Sequence, residues 1–491
     1  MKKKEMIAML KLNPLLTNNL VLQAEKVHLI NGRCAPYCSV VLKMGKLTLN
    51  ERSDSQGDFI FTIPPQAYSF TEKMSIDADG ETREISVQYG DVFLFAGQSN
   101  MEYPMSQEVH FSEEQAHITE NEPIFFQAIP KPEFELKLEE EEDADWEQLS
   151  SDNLATLSAV AYYTMKEHKK NHPERVIGAV ICSKGGTSAS CWVSKEDLEN
   201  DALLNESILM PFVKKTEGKD KKYFDTEFSN YLTSYQQYVE KRTTWIKENP
   251  ELTLGQIKEQ IGHSPWPPPA NPYLFNRPGG LYQKMFKRIV PFTFSAVIWY
   301  QGEEDTMFGS LYENLLDCLI NRWRKDLMER VPFYIIQLPI CADKPQHDWA
   351  SVRAVQAQAI QKYENIFLVT CLDCGEVEDI HPPEKSVLGK RIGEILDGVH
   401  YSSAPVGKVS SWTNTKLVIE VDKAASLNLL KEQAIKADVP VKKIFVEGNK
   451  LIIETVKSCR KVQYGWENAP FVALFNEAGY PVSPFKFEKR V

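Results

Sequence analysis

The chain has 491 residues, which is more than one hydrophobic core usually holds, so two or three structural units are expected. Apolar residues make up 43% and charged residues 25% of the sequence, and this composition excludes a disordered or fibrous protein. The 56 basic and 68 acidic residues give a net charge of −12, which disfavours binding to the phosphates of nucleic acids.

The sequence predicts neither a membrane span nor a secretion signal. No stretch of 18 apolar residues occurs, and the lysines at positions 2–4 precede an apolar run that is too short and too charged for a signal peptide. Nine cysteines, an odd and unexceptional number for this length, favour reduced thiols. We therefore expect a cytoplasmic protein that does not contact membranes.

Residues 1–90 are predicted to form a β-sandwich-like N-terminal domain. Short apolar runs at 40–42, 59–63 and 84–87 have the length of strands. Turn-forming pairs such as Asn31-Gly32 separate them, so the chain is expected to reverse direction at short intervals.

Residues 91–400 are predicted to form an α/β domain with a parallel sheet. Stretches with helical spacing, such as 154–169 and 311–324, alternate with continuous apolar runs, which are typical of strands buried on both faces. There are five such runs: 92–96, 176–182, 296–300, 333–338 and 366–371.

Two further segments complete the predicted organisation. The polar, helical stretch at about 194–277 is interpreted as an insertion after the second of these strands. Strand-like runs return after residue 400, for example at 416–421 and 450–456, so residues 401–491 are predicted to form a β-rich region that packs on the N-terminal domain.

Candidate catalytic residues follow the predicted strands directly. In an open parallel sheet, ligands bind beyond the carboxyl ends of the strands. Ser99 follows the first run, two glycines follow the second, an amide follows the third, and an Asp–His pair lies beyond the fifth; these residues are Ser99, Gly185, Gly186, Gln301, Asp379 and His381. A nucleophile, oxyanion donors, a base and a group that orients the base are the components of acyl transfer.

Each of these residues has a definite role in acyl transfer. A serine hydroxyl becomes a nucleophile when a base such as His381 removes its proton. Asp379 lies two residues before the histidine and could hold the correct imidazole tautomer. Glycines at 185 and 186 let backbone N–H groups approach a substrate closely, and Gln301 adds an NH₂ donor.

Three blocks of the sequence resemble the signatures of the sialate O-acetylesterase branch of the SGNH hydrolases. They are 95–102 (Phe-Ala-Gly-Gln-Ser-Asn-Met-Glu), 299–303 (Trp-Tyr-Gln-Gly-Glu) and 379–383 (Asp-Ile-His-Pro-Pro). Shorter stretches from Val21-Leu22-Gln23 to Pro484-Phe485 resemble the same family, so the resemblance covers nearly the whole chain.

This resemblance implies a three-layer α/β/α hydrolase domain flanked by β-rich regions. It also implies that Ser99 is the nucleophile and His381 the base, with an oxyanion hole formed by the N–H groups of Ser99 and Gly186 and by the amide of Gln301. The wider SGNH pattern is Asp-x-x-His, whereas Asp379 is one residue closer to the histidine and Glu378 occupies the usual position. Glu303 and Asp305 are therefore alternative partners of the base.

The implied activity is removal of O-acetyl groups from a sugar, and most specifically from sialic acid. One alternative is an acetylxylan or other polysaccharide esterase, and another is a carbohydrate-binding protein with a vestigial catalytic centre. Because sialic acid carries a carboxylate, an arginine is expected near the site, and apolar rings are expected to face the sugar. The candidates are Arg277, Arg353, Trp192 and Tyr300.

No cofactor or metal ion is expected. The sequence has neither a Gly-x-Gly-x-x-Gly motif nor a Walker motif. Cys371 and Cys374 form one Cys-x-x-Cys pair, but there is no second pair that would complete a zinc site. The expected partner is thus a small acetylated sugar or oligosaccharide.

Overall fold

The computed structural model describes residues 10–132, 144–344 and 346–489, and its N-terminal part consists of strands. The predicted runs at 40–42, 59–63 and 84–87 all lie in strands, and Phe59, Phe61 and Ile63 are buried in strict alternation. The strands are β1 (Lys11–Leu12), β2 (Leu20–Gln23), β3 (His28–Arg33), β4 (Ser39–Met44), β5 (Leu47–Arg52), β6 (Asp58–Ile63), β7 (Ser69–Ala78) and β8 (Glu81–Gly97).

Strand β8 belongs to both the N-terminal region and the central sheet. Its first half pairs antiparallel with β7 and, at residues 87–90, parallel with β2. Its second half, from Asp91 to Gly97, is the middle of the central parallel sheet. The predicted boundary between residues 90 and 91 therefore lies inside a single strand of 17 residues.

The central sheet contains the five predicted parallel strands in the order β11–β8–β12–β13–β14. A sixth parallel strand, β9, pairs with β11, and the short β10 is antiparallel to β9. Every residue of β12 and β13 is buried, as continuous apolar runs predict. The strands are β9 (Ile124–Ala128), β10 (Glu147–Gln148), β11 (Ile177–Ser183), β12 (Ala296–Tyr300), β13 (Phe333–Gln337) and β14 (Ile366–Thr370).

Helices pack on this sheet in two groups, α3 with α12 and α10 with α11. The two helices of the first group touch closely because Gly389 of α12 has no side chain; a Cβ there would lie 2.3 Å from the Cβ of Tyr163. The helices around the sheet are α1 (Ser99–Glu102), α2 (Phe111–Ala116), α3 (Ala159–Asn171), α9 (Gly280–Lys284), α10 (Tyr312–Asp326), α11 (Trp349–Lys362) and α12 (Ser386–Leu396). None of the described helices combines the length and hydrophobicity needed to cross a bilayer.

The segment predicted as an insertion is helical. Helix α7 has 28 residues, and the carboxylate of Asp220 caps it by accepting the N–H of Tyr223. Thr253 and Gln256 form a reciprocal capping box at the start of the next helix. The helices are α4 (Lys195–Asn200), α5 (Ala202–Leu204), α6 (Met210–Thr216), α7 (Lys221–Glu248) and α8 (Leu254–Ile261).

The C-terminal region is rich in strands, as predicted, and has a hydrophobic core of its own. The sequence predicts that it packs on the N-terminal region, but hydrogen bonds of the described residues join it to the central sheet. Gln337 donates to Ser483 Oγ at 2.9 Å and Thr370 donates to the carbonyl of Pro481 at 2.9 Å, so these residues attach the region to β13 and β14. Its strands are β15 (Gly407–Trp412), β16 (Lys416–Val421), β17 (Leu427–Leu429), β18 (Ile435–Ala437), β19 (Val441–Glu447), β20 (Lys450–Thr455), β21 (Lys461–Tyr464), β22 (Leu474–Asn476) and β23 (Phe485–Glu488).

The position of the C-terminal region has a physical reason. β14 is the last strand of the central sheet, and an edge strand needs a cover against pairing with other chains. The N-terminal strands are joined to the middle of the sheet through β8 and lie away from this edge. The C-terminal region is thus the neighbour of β14.

Candidate active site

Ser99 and His381 meet at the carboxyl ends of the parallel strands. Ser99 follows β8 and is the first residue of α1, while His381 lies in the loop between β14 and α12. His381 Nε2 is 2.8 Å from Ser99 Oγ, and both side chains are half-buried. This distance allows the imidazole to accept the hydroxyl proton directly.

The loop that carries His381 is tied to α1. Asp379 Oδ1 accepts the backbone N–H of His381 at 2.9 Å, and Asn100 Nδ2 donates to the carbonyl of Ile380 at 2.9 Å. Asn100 is fully buried and also accepts a hydrogen bond from Lys385 Nζ at 2.7 Å. The residue that follows the serine therefore positions the segment that carries the base.

The surroundings of His381 favour its neutral form. Burial lowers the pKa of the imidazole to about 4, and the nearby carboxylate of Asp379 opposes this shift. The positive charges of Lys385, Lys258 and Arg242 act in the same direction as burial. A neutral imidazole is the form that can accept a proton from serine.

The low pKa of His381 predicts an unusually acidic limit of activity. Because the neutral imidazole is the active form, kcat/KM for an uncharged ester should stay level on acidification and fall only near pH 4. Arg242→Gln removes a charge that lowers this pKa, so its acid limb should move to higher pH. A pH–rate profile on a soluble acetyl ester measures both effects.

Lys241→Gln is the matched control for that substitution, because it removes a positive charge one position away on the same exposed stretch of α7. Its profile should coincide with that of the unmodified protein. An acid limb near the ordinary histidine pKa of about 6.5 in the unmodified protein would contradict the prediction.

Of the four carboxylates considered as partners of the base, Asp379 is the one beside His381. Glu303 Oε1 instead accepts from Asn100 at 2.6 Å. Asp305 accepts from Ser188 Oγ at 2.6 Å. The carboxylate of Glu378 lies against α8, where a Cβ on Gly255 would be 2.5 Å from it.

Asp379→Asn tests whether this carboxylate orients the base. Asparagine keeps the oxygen that accepts the N–H of His381 and removes the charge, so the loop should remain in place. We expect kcat to fall roughly 10³- to 10⁴-fold, the effect of losing the charged partner of a catalytic histidine. A drop of only a few-fold, together with a larger loss in Glu303→Gln, would assign the orienting role to Glu303.

Three consecutive acidic side chains follow Gln301 and Gly302. Burial raises the pKa of the carboxyl groups of Glu303 and Asp305, and it raises that of Glu304 to about 8, with the charge of Asp305 adding to the effect. Burial thus disfavours negative charge on all three carboxyl groups beside the buried amide of Gln301.

Two backbone N–H groups beside Ser99 are available to an oxyanion. Within the described residues, no hydrogen bond uses the N–H of Ser99 or that of Gly186. The N–H of Gly185 is different, because it donates to the carboxylate of Glu102. Gly186 has a φ of +67°, and a Cβ there would lie 2.1 Å from Trp266 Cζ2. Glycine is therefore required at this position.

Gln301 does not have the role that the sequence suggested. Its side chain is fully buried, and its NH₂ group donates to the carbonyl of Thr187 at 3.2 Å and to Asp305 Oδ2 at 2.5 Å. Both amide protons are thereby used inside the protein. Gln301 joins the glycine loop to the acidic segment and does not point a free donor at a substrate.

Three of the four predicted sugar contacts belong to the core. Trp192 is fully buried, with its ring 6.1 Å from that of Trp299 and its N–H on Thr187 Oγ1. Tyr300 is 1% exposed. Arg353 is fully buried and donates to four backbone carbonyls, those of Leu338, Pro339, Glu467 and Asn468. These three predictions are wrong, because the side chains stabilise the interior and cannot reach a ligand.

Arg277 is half-buried and differs from Arg353. One of its terminal nitrogens donates to Gln283 Oε1 at 2.9 Å, while its buried Nε has no partner among the described residues. Burial lowers the pKa of this guanidinium. Its proposed contact with a substrate stays a prediction.

The insertion supplies site residues that the sequence analysis missed. Trp266 lies on Gly186, and Lys258 Nζ donates to the carbonyl of Glu378 at 3.0 Å and to Asp343 at 2.6 Å. The charge of Arg242 on α7 reaches His381. The insertion thus contacts both the glycine loop and the histidine loop. The only local signal was the Pro-rich stretch around Trp266, which does not tell where the loop packs.

The Cys-x-x-Cys pair is not a preformed thiolate site. Burial raises the pKa of Cys371 well above its usual value and that of Cys374 to about 12, so both thiols are protonated at neutral pH. Cys371 Sγ contacts the carbonyl of Gln337 at 2.7 Å. All nine cysteines of the chain are unpaired.

Residues 264–396 match the family model described as carbohydrate esterase, sialic acid-specific acetylesterase. The sialate O-acetylesterase of Rattus norvegicus is 23% identical over 336 residues, which are 62% of this chain. That of Pongo abelii is 21% identical over 416 residues, 77% of this chain and 68% of the relative. The chain spans 56% of the length of the rat protein.

A solved structure shares the fold over almost the whole chain. The carbohydrate acetylesterase from Xanthomonas citri superposes with a TM-score of 0.74 and 20% sequence identity, covering 98% of this chain and all of that one. The α/β fold with a parallel sheet and additional β-rich regions, predicted from the sequence, is thereby confirmed. The family resemblance that the three sequence blocks indicated is confirmed as well.

Proposed function

We propose that this relative of the sialate O-acetylesterases is a serine esterase that removes O-acetyl groups from sugars through an acetyl-enzyme intermediate. The observation that carries the proposal is the 2.8 Å distance between His381 Nε2 and Ser99 Oγ at the carboxyl ends of β8 and β14. A pure binding protein has no use for such a pair, which argues against the vestigial alternative.

In the first half of the reaction, His381 accepts the proton of Ser99 as its Oγ bonds to the acetyl carbonyl carbon. The carbonyl oxygen becomes negative and receives hydrogen bonds from the N–H groups of Ser99 and Gly186. When the C–O bond to the sugar breaks, the sugar oxygen takes the proton from His381. The products of this half are the free sugar hydroxyl and acetylated Ser99.

In the second half, water replaces the sugar. His381 removes a proton from the water as its oxygen bonds to the acetyl carbon, and the same N–H groups stabilise the negative oxygen. The bond to Ser99 Oγ then breaks, the serine takes the proton back from His381, and acetic acid leaves and ionises to acetate in solution. Asp379 stabilises the imidazolium that exists during both halves, because its charge is the one beside the ring.

We propose an acidic sugar, and sialic acid in particular, as the substrate. A protein of net charge −12 repels an anion unless local cations reverse the field, and Arg242 supplies positive charge near the histidine loop, whereas Lys258 is paired with Asp343. Arg242 is exposed and unlike Arg353 is not used by the core. The names of the family and of its curated relatives support the same substrate.

Acetate release from a set of acetylated sugars tests the proposal. O-acetylated sialic acid should be hydrolysed with a higher kcat/KM than acetylated xylo-oligosaccharides, and Arg242→Gln should raise KM for the acidic sugar while sparing p-nitrophenyl acetate. Lys241→Gln serves as the control. A preference for the neutral xylo-oligosaccharides would replace the sialate assignment, and absence of hydrolysis of every ester would overturn the esterase.

A further inference from the structure

The C-terminal region contains a cavity of about 270 Å³ that the proposed reaction does not use. It lies between the segment that enters β18, strand β21 and the loop after β21. Its lining includes two aromatic rings, two side-chain amides, two ammonium groups and one carboxylate: Trp466, Phe471, Gln433, Gln463, Lys431, Lys436 and Glu467.

Phe471 and Trp466 offer exposed ring surface to a ligand, beside the lysine ammonium groups that lie over both rings. Phe471 is 51% exposed, and Trp466 is half-buried. Lysine ammonium groups lie over both rings, that of Lys431 at 4.2 Å from the centre of Phe471 and that of Lys486 at 5.4 Å from the centre of Trp466. A pyranose ring has an apolar C–H face of matching size and a rim of hydroxyl groups.

The amides in the lining are available to such hydroxyl groups. The side chains of Gln433 and Gln463 make no hydrogen bond to another residue in the part of the chain that the structure describes. Each amide can donate and accept at once, which suits a hydroxyl group that does the same.

The charges of the C-terminal region favour an acidic ligand of this cavity over a neutral one. Residues 401–491 contain 14 Lys and Arg against 9 Asp and Glu, although the whole chain has a net charge of −12. Lys436 is paired with Glu467, whereas Lys431 has no carboxylate partner among the described residues. The cavity thus presents an unneutralised ammonium group in the one region of the chain where basic residues exceed acidic ones by five.

We propose that this cavity binds an acidic sugar, at a site separate from the one where Ser99 acts. The ring of the sugar packs on Trp466 and Phe471, its hydroxyl groups bind the two glutamines, and its carboxylate lies at Lys431. The loop that forms one wall also carries Asn468, which donates to the carbonyl of His347, and His347 contacts Thr306 at 2.7 Å. A saccharide held here would be retained close to the central domain, which raises its concentration near the catalytic centre.

A binding titration of full-length protein tests this site. The Ser99→Ala variant is titrated with sialyllactose, which is acidic and not acetylated, and with lactose as the neutral probe. Sialyllactose should bind saturably and lactose at least about tenfold more weakly. Trp466→Ala should weaken binding of sialyllactose by at least about tenfold, and Lys431→Ala by several-fold.

Lys443→Ala is the matched control, because Lys443 lies over Phe445 at 4.3 Å in the same region but outside the cavity. It should leave binding unchanged. In the background with Ser99 intact, all three variants should hydrolyse p-nitrophenyl acetate normally, which shows that they are folded. If Trp466→Ala does not fold, Gln463→Ala replaces it.

Absence of saturable binding, or binding that neither Trp466→Ala nor Lys431→Ala weakens, would overturn the proposal. The second result would place the bound sugar at the catalytic centre. Because the titration does not depend on hydrolysis, it can succeed where the esterase assays fail, and the reverse also holds.

Discussion

Ser99→Ala is expected to abolish hydrolysis of p-nitrophenyl acetate and of acetylated sugars while leaving the protein folded. The substitution removes one oxygen whose described partner is His381, so no packing is lost. The expected decrease in kcat is about 10⁴- to 10⁶-fold, the range for removal of the nucleophile from a serine hydrolase. Acetate release, with circular dichroism as a check of folding, measures the result.

His381→Ala should be nearly as damaging, and the double variant should be little worse than either single one, because the two residues act as a unit. His117→Ala is the control, since the exposed ring of His117, just after α2, has its one hydrogen bond in the described part of the chain with the carbonyl of Glu113. Normal turnover by folded Ser99→Ala protein would falsify the mechanism.

Gly186→Ala should lower kcat by about 10²- to 10³-fold, the effect of losing one donor to an oxyanion. Two constraints act at this position: φ is +67°, and the new methyl group would lie 2.1 Å from Trp266. The loop must shift to relieve the contact, and its N–H then no longer points at the carbonyl oxygen. KM should change less than kcat, because the oxygen is negative only in the transition state.

Gly218→Ala is the matched control for this glycine. Gly218 has a similar φ of +72°, but a Cβ there would meet no atom within 4 Å. Its backbone strain is comparable, while its distance from the catalytic loop should leave kcat unchanged. Equal losses in both variants would show that strain alone, and not the position of the N–H, explains the effect at Gly186.

The sheet and the catalytic pair could be predicted because their signals are local. A continuous apolar run indicates a buried strand, and the carboxyl ends of parallel strands converge whatever connects them. Strand β9 (Ile124–Ala128) was missed because Gln127 interrupts its apolar run, and so short a run does not distinguish a strand from a short buried helix.

The predicted sugar contacts failed for a different reason. Tyr300 lies on a strand that is buried on both faces, and such a strand gives no alternation that would tell which side chain points to solvent. Trp192 follows a short helical turn after the glycine pair, and its nearness to those glycines in the sequence does not show that its ring lies in the core. Arg353 was chosen for its charge, and the structure uses it to hold four backbone carbonyls together. Trp266 and Arg242 were missed because only tertiary packing brings the insertion to the site.

Strand β8 has a consequence for the rigidity of the nucleophile. Ser99 is reached by a backbone that is continuously paired from Glu81 to Gly97, first with β7 and β2 and then with β11 and β12. Local opening of the N-terminal sheet cannot stop at a hinge before the serine, because no loop separates the two parts. Residues of the N-terminal sheet therefore hold the first half of the strand that ends at the nucleophile, and they contribute to the free energy that keeps Ser99 in place although they lie far from any substrate.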